Sequence, residues 1–373
     1  MLEIEGYRVA QPEEIETPSL LVFEEPLGHN LRTVLEWAGG PENLMVHVKT
    51  HKSAEVLRRQ VAAGMARFKA ATLAEVEMVA QVTDAQVLLA YPLWARRKVQ
   101  RFVDLQARYP RSRLQLITAH PENVALLSAV AVENGTSLEV MVDLDVGQHR
   151  TGIALEAAVD LYEQIVRSPG LIPAGLHAYD GHHTDPDPAV RQAAAQACLA
   201  RVQALSQQLE ARGWPVPDRV MGGSRTFPTY AHAEGVLASP GTWVYWDWNY
   251  RVGMPEMPFQ PAALVLTQVI DHQPERGEVT LDLGSKAVST DPPLPDRFRL
   301  LGAPQARLVR QNEEHAVVNT GGHPLALGDY VLAIPGHICT TVFRYPGSWF
   351  VDGRGQVTGW NEHTARDRGR PSA

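Results

Sequence analysis

Eight short apolar runs alternate with helical patterns over the first two thirds of the chain, and this alternation restricts the fold more than any other feature. The runs are Leu44–Lys49, Ala66–Ala71, Gln86–Tyr91, Leu114–Thr118, Ser137–Asp143, Ala174–Tyr179, Arg219–Gly223 and Thr242–Trp246. Between most of them, apolar residues recur at three- and four-residue spacing, as in Val124–Val132, Asp160–Val166 and Ala194–Leu209. One helix start is explicit: Thr72 at an N-cap with Glu75 three residues on forms a capping box. Eight βα units of this spacing predict an α/β fold, a (β/α)₈ TIM-type barrel. An open doubly wound sheet is the weaker alternative, because no glycine-rich dinucleotide turn follows an early strand.

From about Pro255 the rhythm changes to strands and turns. Ala262–Ile270, Glu278–Leu283, Ala306–Arg310, Ala316–Asn319, Tyr330–Ile334 and Ser348–Val351 read as strands of a mostly antiparallel β domain. Thr17–Phe23 reads as a strand that joins it. The expected division is a barrel over 24–254 and a β domain over 1–23 and 255–373, with Thr364–Ala373 as a frayed tail.

Composition removes several classes of function. The 373 residues are 45% hydrophobic with formal net charge −8, which argues against a nucleic-acid or anionic-membrane partner. No apolar run approaches a membrane span, and the acidic N-terminus MLEIEGYRV lacks a signal-peptide core. Only Cys198 and Cys339 are present, so no disulfide framework is indicated. The expectation is a cytoplasmic protein acting on a small molecule.

In barrels of this kind chemistry sits at the C-terminal ends of the strands. The first run, in LMVHVKTHKS, ends in Lys49. A lysine there either marks the strand's exit into solvent or is a desolvated amine that forms a Schiff base. The fifth run leads to Arg150, which is either a surface ion pair or a site residue. The sixth carries His177 and Tyr179, two apart and so on one face. The seventh leads into Gly222-Gly223-Ser224, and the eighth opens with Gly241-Thr242. Glycines after a strand are most often turns, but loops seven and eight of such barrels often hold phosphate. A lysine and a phosphate cradle in one mouth suggest pyridoxal 5′-phosphate (PLP). In the β domain, His337 and Cys339 stand two apart in PGHICTT and so would point to one face of a strand. They are either a satisfied His and a buried Cys, or two ligands of an open divalent-metal site.

These segments resemble the metal-activated branch of the fold-type III PLP enzymes, which holds D-threonine aldolase and eukaryotic-type D-serine dehydratase. The likeness rests on TPSLLVF, HVKTHKS, VDLDVGQHRTG, GLHAYDGH, SPGT, DLGSKAVS and PGHICTT, and runs from Thr17 to about Asn361. It implies an alanine-racemase-like barrel with a β domain, a homodimer, and a β-hydroxy D-amino acid as substrate. By position it implies Lys49 as the Schiff-base lysine, Arg150 near the phenolic oxygen, and His177 and Tyr179 along the ring. Gly223, Ser224, Gly241 and Thr242 would hold the phosphate, and His337 and Cys339 a Zn²⁺ or Mn²⁺ ion. Two departures stand out. Ser239 occupies the position at which racemases of this fold carry an arginine facing the pyridine nitrogen, and no racemase-type tyrosine motif is found in the β domain. A two-base racemase is thereby disfavoured. Retro-aldol cleavage is the leading reading, with D-serine or 3-hydroxy-D-aspartate dehydration as the alternative. A non-catalytic PLP-homeostasis protein, the third reading, would resemble the barrel alone.

Overall fold

The computed structural model describes residues 1–369. It divides into two compact units, one of Met1–Val34, Thr50–Glu55 and Thr242–Arg366, the other of Leu35–Lys49 and Val56–Gly241 with residues 367–369.

The second unit is a parallel barrel. Its strands are Val46–His47, Arg67–Ala70, Gln86–Leu89, Arg113–Thr118, Leu138–Leu144, Leu171–Ala178, Asp218–Met221 and Leu237–Ala238, each paired with the next. Closure is made by a parallel bridge from Leu44 to Ala238 and by hydrogen bonds from Met45 N to Ala238 O and His47 N to Pro240 O, both 2.9 Å. Met45, Leu88, Ile117, Met141, Ala174 and Val220 fill the interior. Full burial of such side chains stabilises by about 1.5–3 kcal/mol each. The N-terminal end is plugged by polar groups, with Gln86 Nε2 donating to Gln115 Oε1 (3.0 Å) and to Asp218 Oδ2 (2.7 Å). Gly175, at φ +122°, lets the sixth strand lie against the seventh, for a Cβ there would sit 1.9 Å from Asp218 O. The C-terminal ends are left for chemistry.

Seven of the expected runs overlap barrel strands; the eighth does not. Thr242–Val244 is a turn of 3₁₀ helix, with Trp246 N donating to Thr242 O at 2.8 Å, and the closing strand is the earlier Leu237–Ala238. Trp243 through Trp246 are 0–1% exposed, so the run shows no alternation, and a fully buried helical turn and a fully buried strand then look alike in sequence.

The other unit is built on a nine-stranded, mostly antiparallel sheet. Ser19–Phe23 lies in it as expected, antiparallel to Ala263–Gln273 and parallel to Gly347–Val351. Leu21, Leu264, Leu266, Leu332 and Ile334 form its core with Val9 and Ile15 from the N-terminal segment. Phe298–Leu300 and Val357–Glu362 are strands that sequence reading missed. The tail is anchored where it begins: Ala365 is buried and its N–H donates to Lys52 O at 3.1 Å. Residues 370–373 of that expected tail lie outside the described part.

Candidate functional site

Lys49 stands two residues past the first barrel strand, half-buried, its N–H donating to His47 Nδ1 at 3.3 Å. Its Nζ lies 5.9 Å from the centroid of the Tyr179 ring. The Arg150 guanidinium lies 4.9 Å from the same centroid. Tyr179 immediately follows the sixth strand, so three strand-end positions separated by up to 130 residues converge on one aromatic face. Lys49 is therefore no simple exit into solvent, and Arg150 no isolated surface ion pair.

His177, near the end of the same strand, is fixed by charge. Its Nδ1 lies 2.7 Å from Asp143 Oδ1, and Thr151 Oγ1 donates to Asp143 Oδ2 at 2.9 Å. A carboxylate only accepts, so Nδ1 carries the hydrogen. Burial holds the imidazole below its ordinary pKa, against the opposing pull of Asp143. The ring is then neutral, with its lone pair on Nε2, and Nε2 is buried with no hydrogen-bond partner among the described residues.

Loops seven and eight meet. Gly241 N donates to Ser224 Oγ at 3.0 Å, and Gly223 N to Thr226 Oγ1 at 3.3 Å. Neither glycine of loop seven can be replaced without displacement. A Cβ on Gly222, at φ +79°, would come within 2.5 Å of the Tyr230 ring, and one on Gly223 within 3.0 Å of Tyr179. Behind them, the buried Asp180 carboxylate accepts from Tyr230 OH (2.6 Å) and Thr226 Oγ1 (2.8 Å). Burial pushes that carboxyl's pKa up, and the two hydroxyls oppose the rise. Ser239 is buried, and its hydroxyl donates to Met45 O at 2.7 Å.

The second constellation lies in the β-rich unit. His337 and Cys339 do not share a strand face, which corrects the reading above. The strand Tyr330–Pro335 ends before them, His337 caps the short helix Ile338–Val342, and Cys339 lies within that helix. Gly336 lets the chain pass close to Asp296 here, since a Cβ would meet Asp296 O at 1.8 Å. The two side chains nevertheless interact. Burial lowers the His337 pKa, but the hydrogen bond and charge of Cys339, with Asp291, outweigh it and carry it to about 10. Asp291 contacts His337 Nδ1, and Thr340 donates to the same carboxylate. Thr50 Oγ1 and Thr242 Oγ1 lie 3.3 and 3.8 Å from Cys339 Sγ. Among the described residues, no group of three His, Cys, Asp or Glu is arranged to hold a metal ion.

Sequence reading missed Lys69, Asp143 and Asp180. Lys69 carried the same signal as Lys49, a lysine within an apolar strand. Asp143 ended a strand that had been read for its apolar residues. Farther out, His149 Nδ1 lies 2.8 Å from Asp145 Oδ2, and the rings of His182 and His183 are 4.0 Å apart.

Residues 24–247 match the family model described as alanine racemase, N-terminal domain. The chain belongs to that family. Residues 262–351 match a second model, described as putative serine dehydratase domain. The D-threonine aldolase of Arthrobacter sp is 28% identical over 346 residues, covering 89% of this chain and 88% of that protein. The 3-hydroxy-D-aspartate aldolase of Paracoccus denitrificans (strain Pd 1222) is 28% identical over 356 residues, 91% of this chain and 88% of that protein. The crystal structure of a D-threonine aldolase from Filomicrobium marinum superposes with TM-score 0.84 at 24% identity, covering 95% of this chain and 96% of that one. That structural likeness is one of fold.

Family membership implies PLP, and the barrel residues fit it. A glycine cradle that a Cβ would fill, an orphaned Nε2 on His177 and an amine over an aromatic face are what an anionic, planar group requires. The donor chemistry at His337 and Cys339 fits a divalent cation. A soft sulfur and an imidazole converge, and the carboxylate on the other ring nitrogen is the usual orienting partner of a ligating histidine.

Proposed function

We infer that this protein is a PLP- and divalent-metal-dependent lyase of β-hydroxy D-amino acids, with retro-aldol cleavage to glycine and an aldehyde as its reaction. The observation that carries the reading is the convergence of Lys49 and Arg150 on Tyr179 in a barrel of this family. The names of the relatives give the substrate class: a D-threonine aldolase and a 3-hydroxy-D-aspartate aldolase.

PLP, when bound, accepts the electron pair released at Cα, and a divalent ion, when bound, polarises the β-hydroxyl as a Lewis acid. Lys49 would supply the amine that holds the cofactor covalently; a base beside Cα would be needed only in the dehydration reading, since retro-aldol cleavage leaves the Cα–H bond intact. Arg150 places a positive charge toward the phenolic oxygen. Tyr179 and the neutral His177 line the ring, and Asp143 fixes the His177 tautomer. Gly223, Ser224, Gly241 and Thr242 serve the phosphate with backbone N–H groups and hydroxyls. Ser239 offers a neutral group where an arginine stands in racemases, which disfavours racemisation. His337 and Cys339 serve the metal, Zn²⁺ or Mn²⁺, with Asp291 holding the imidazole in place. The working form is a cytoplasmic homodimer.

Dehydration of D-serine or 3-hydroxy-D-aspartate to a 2-oxo acid and ammonia is the second reading. It is favoured by the match of residues 262–351 to a putative serine dehydratase domain. A product assay decides. Purified protein with PLP and metal is given D-threonine, D-serine and 3-hydroxy-D-aspartate. Glycine plus an aldehyde supports the aldolase; 2-oxo acid plus ammonia overturns it in favour of the dehydratase.

A further inference from the structure

The barrel holds a second amine, this one buried, that the reading above does not use. Lys69 lies in the second strand, Arg67–Ala70, and is 2% exposed. Its Nζ is 5.8 Å from the centroid of Tyr179, the ring that Lys49 and Arg150 also face. Among the described residues its ammonium has no hydrogen bond and no ion pair. Burial first, then Lys49, lowers its pKa to about 7; Asp143 and Asp180 raise it and Arg150 lowers it further. The neutral His177 is the remaining titratable neighbour. A buried cation without an acceptor is costly, so such a group either stays neutral or awaits an anion.

We propose that Lys69 is a second donor to the phenolic oxygen of PLP, beside Arg150, and that it sets the proton affinity of the lysine-bound cofactor. This rests on the assignment of Lys49. In PLP the phenolic oxygen is carried on the ring carbon next to the one bearing the aldehyde, where Lys49 attaches. An amine that shares Tyr179 with both Lys49 and Arg150 is placed for that oxygen. The phosphate is served from elsewhere, by the backbone of loops seven and eight. Lys69 thus belongs to the cofactor's phenolic side, and its positive charge disfavours a second one on the adjoining nitrogen.

The test is a pH titration of the visible band of the holoenzyme in wild type, Lys69→Met and Lys69→Arg. Loss of the cation lets the proton persist to higher pH, so the midpoint in Lys69→Met rises by about one unit, while Lys69→Arg stays near wild type. An unchanged midpoint in Lys69→Met overturns the proposal. Folding is no obstacle, since methionine replaces an unpaired amine with an apolar chain of similar length. As a second readout, added PLP raises the melting temperature of Lys69→Met less than that of wild type; an equal rise also overturns the proposal. Borohydride reduction followed by peptide mapping separates the two claims. A pyridoxyl group on Lys49 upholds the basis of the proposal. One on Lys69 sinks the Lys49 assignment and the proposal together.

Discussion

Gly222→Ala is the most informative single substitution in the cradle. Gly222 has φ +79°, and its N–H donates to Ala178 O at 2.9 Å. A left-handed backbone costs an alanine about 1 kcal/mol relative to glycine. The added Cβ would also lie 2.5 and 2.6 Å from Tyr230 Cδ2 and Cε2 and 3.0 Å from Thr226 Oγ1. Tyr230 cannot swing away, because it is fully buried and its hydroxyl is tied to Asp180 at 2.6 Å. Overpacking of this kind costs about 1–3 kcal/mol, so the total is about 2–4 kcal/mol. The strain is relieved by moving the loop that receives the phosphate, and if about 1.4 kcal/mol of it is felt on binding, the Kd for PLP rises about tenfold. The assay is a PLP titration alongside a thermal melt. Gly213→Ala is the control, since Gly213 has φ +77° but nothing within 4 Å of its Cβ position. It should cost only about 1 kcal/mol and leave PLP binding unchanged. A Gly222→Ala protein with wild-type PLP affinity and melting would refute the reasoning.

Two further outcomes are expected. Removal of the metal by EDTA, or His337→Ala, abolishes lyase turnover while the visible band of bound PLP remains; activity that survives complete chelation contradicts a metal role. His363 is buried, its Nδ1 3.0 Å from Tyr345 O and its Nε2 3.3 Å from Ser348 Oγ. Burial lowers its pKa from 6.5 to about 4, overcoming the pull of the Tyr345 and Val342 carbonyls, and Arg366 and Lys52 add to the fall. The unfolded chain therefore takes up this proton first as pH falls. Stability from this group is complete above about pH 6.5 and is lost on the way to about pH 4, by up to roughly 3 kcal/mol. Urea unfolding at pH 7.5 and 4.5 measures it, and in His363→Gln that part of the pH dependence disappears.

Much of this was legible from residues alone, for stated reasons. The barrel strands announced themselves as apolar runs set in a regular beat, and the strand-end rule then picked out Lys49, Arg150, His177 and Tyr179, of which Lys49 and Arg150 meet at the Tyr179 ring. The rule failed where burial is complete on all sides. Thr242–Trp246 is buried throughout, so its helical turn looked like a strand. His337 and Cys339 were paired by a strand argument; the structure brings them into contact through a helix start instead. Lys69 was hidden because its neighbours come from the ends of strands one, five and six, and no local spacing reports such proximity. Val357–Glu362 alternates only weakly between exposed and half-buried positions, which left it without a strand signal.

The central claim concerns the amine of Lys49, and an absorbance spectrum tests it most directly. Wild type and Lys49→Ala are each reconstituted with PLP, freed of excess cofactor and scanned. The account predicts a visible band of lysine-bound cofactor in wild type that is absent from Lys49→Ala. A band of the same position and intensity in both proteins would contradict it.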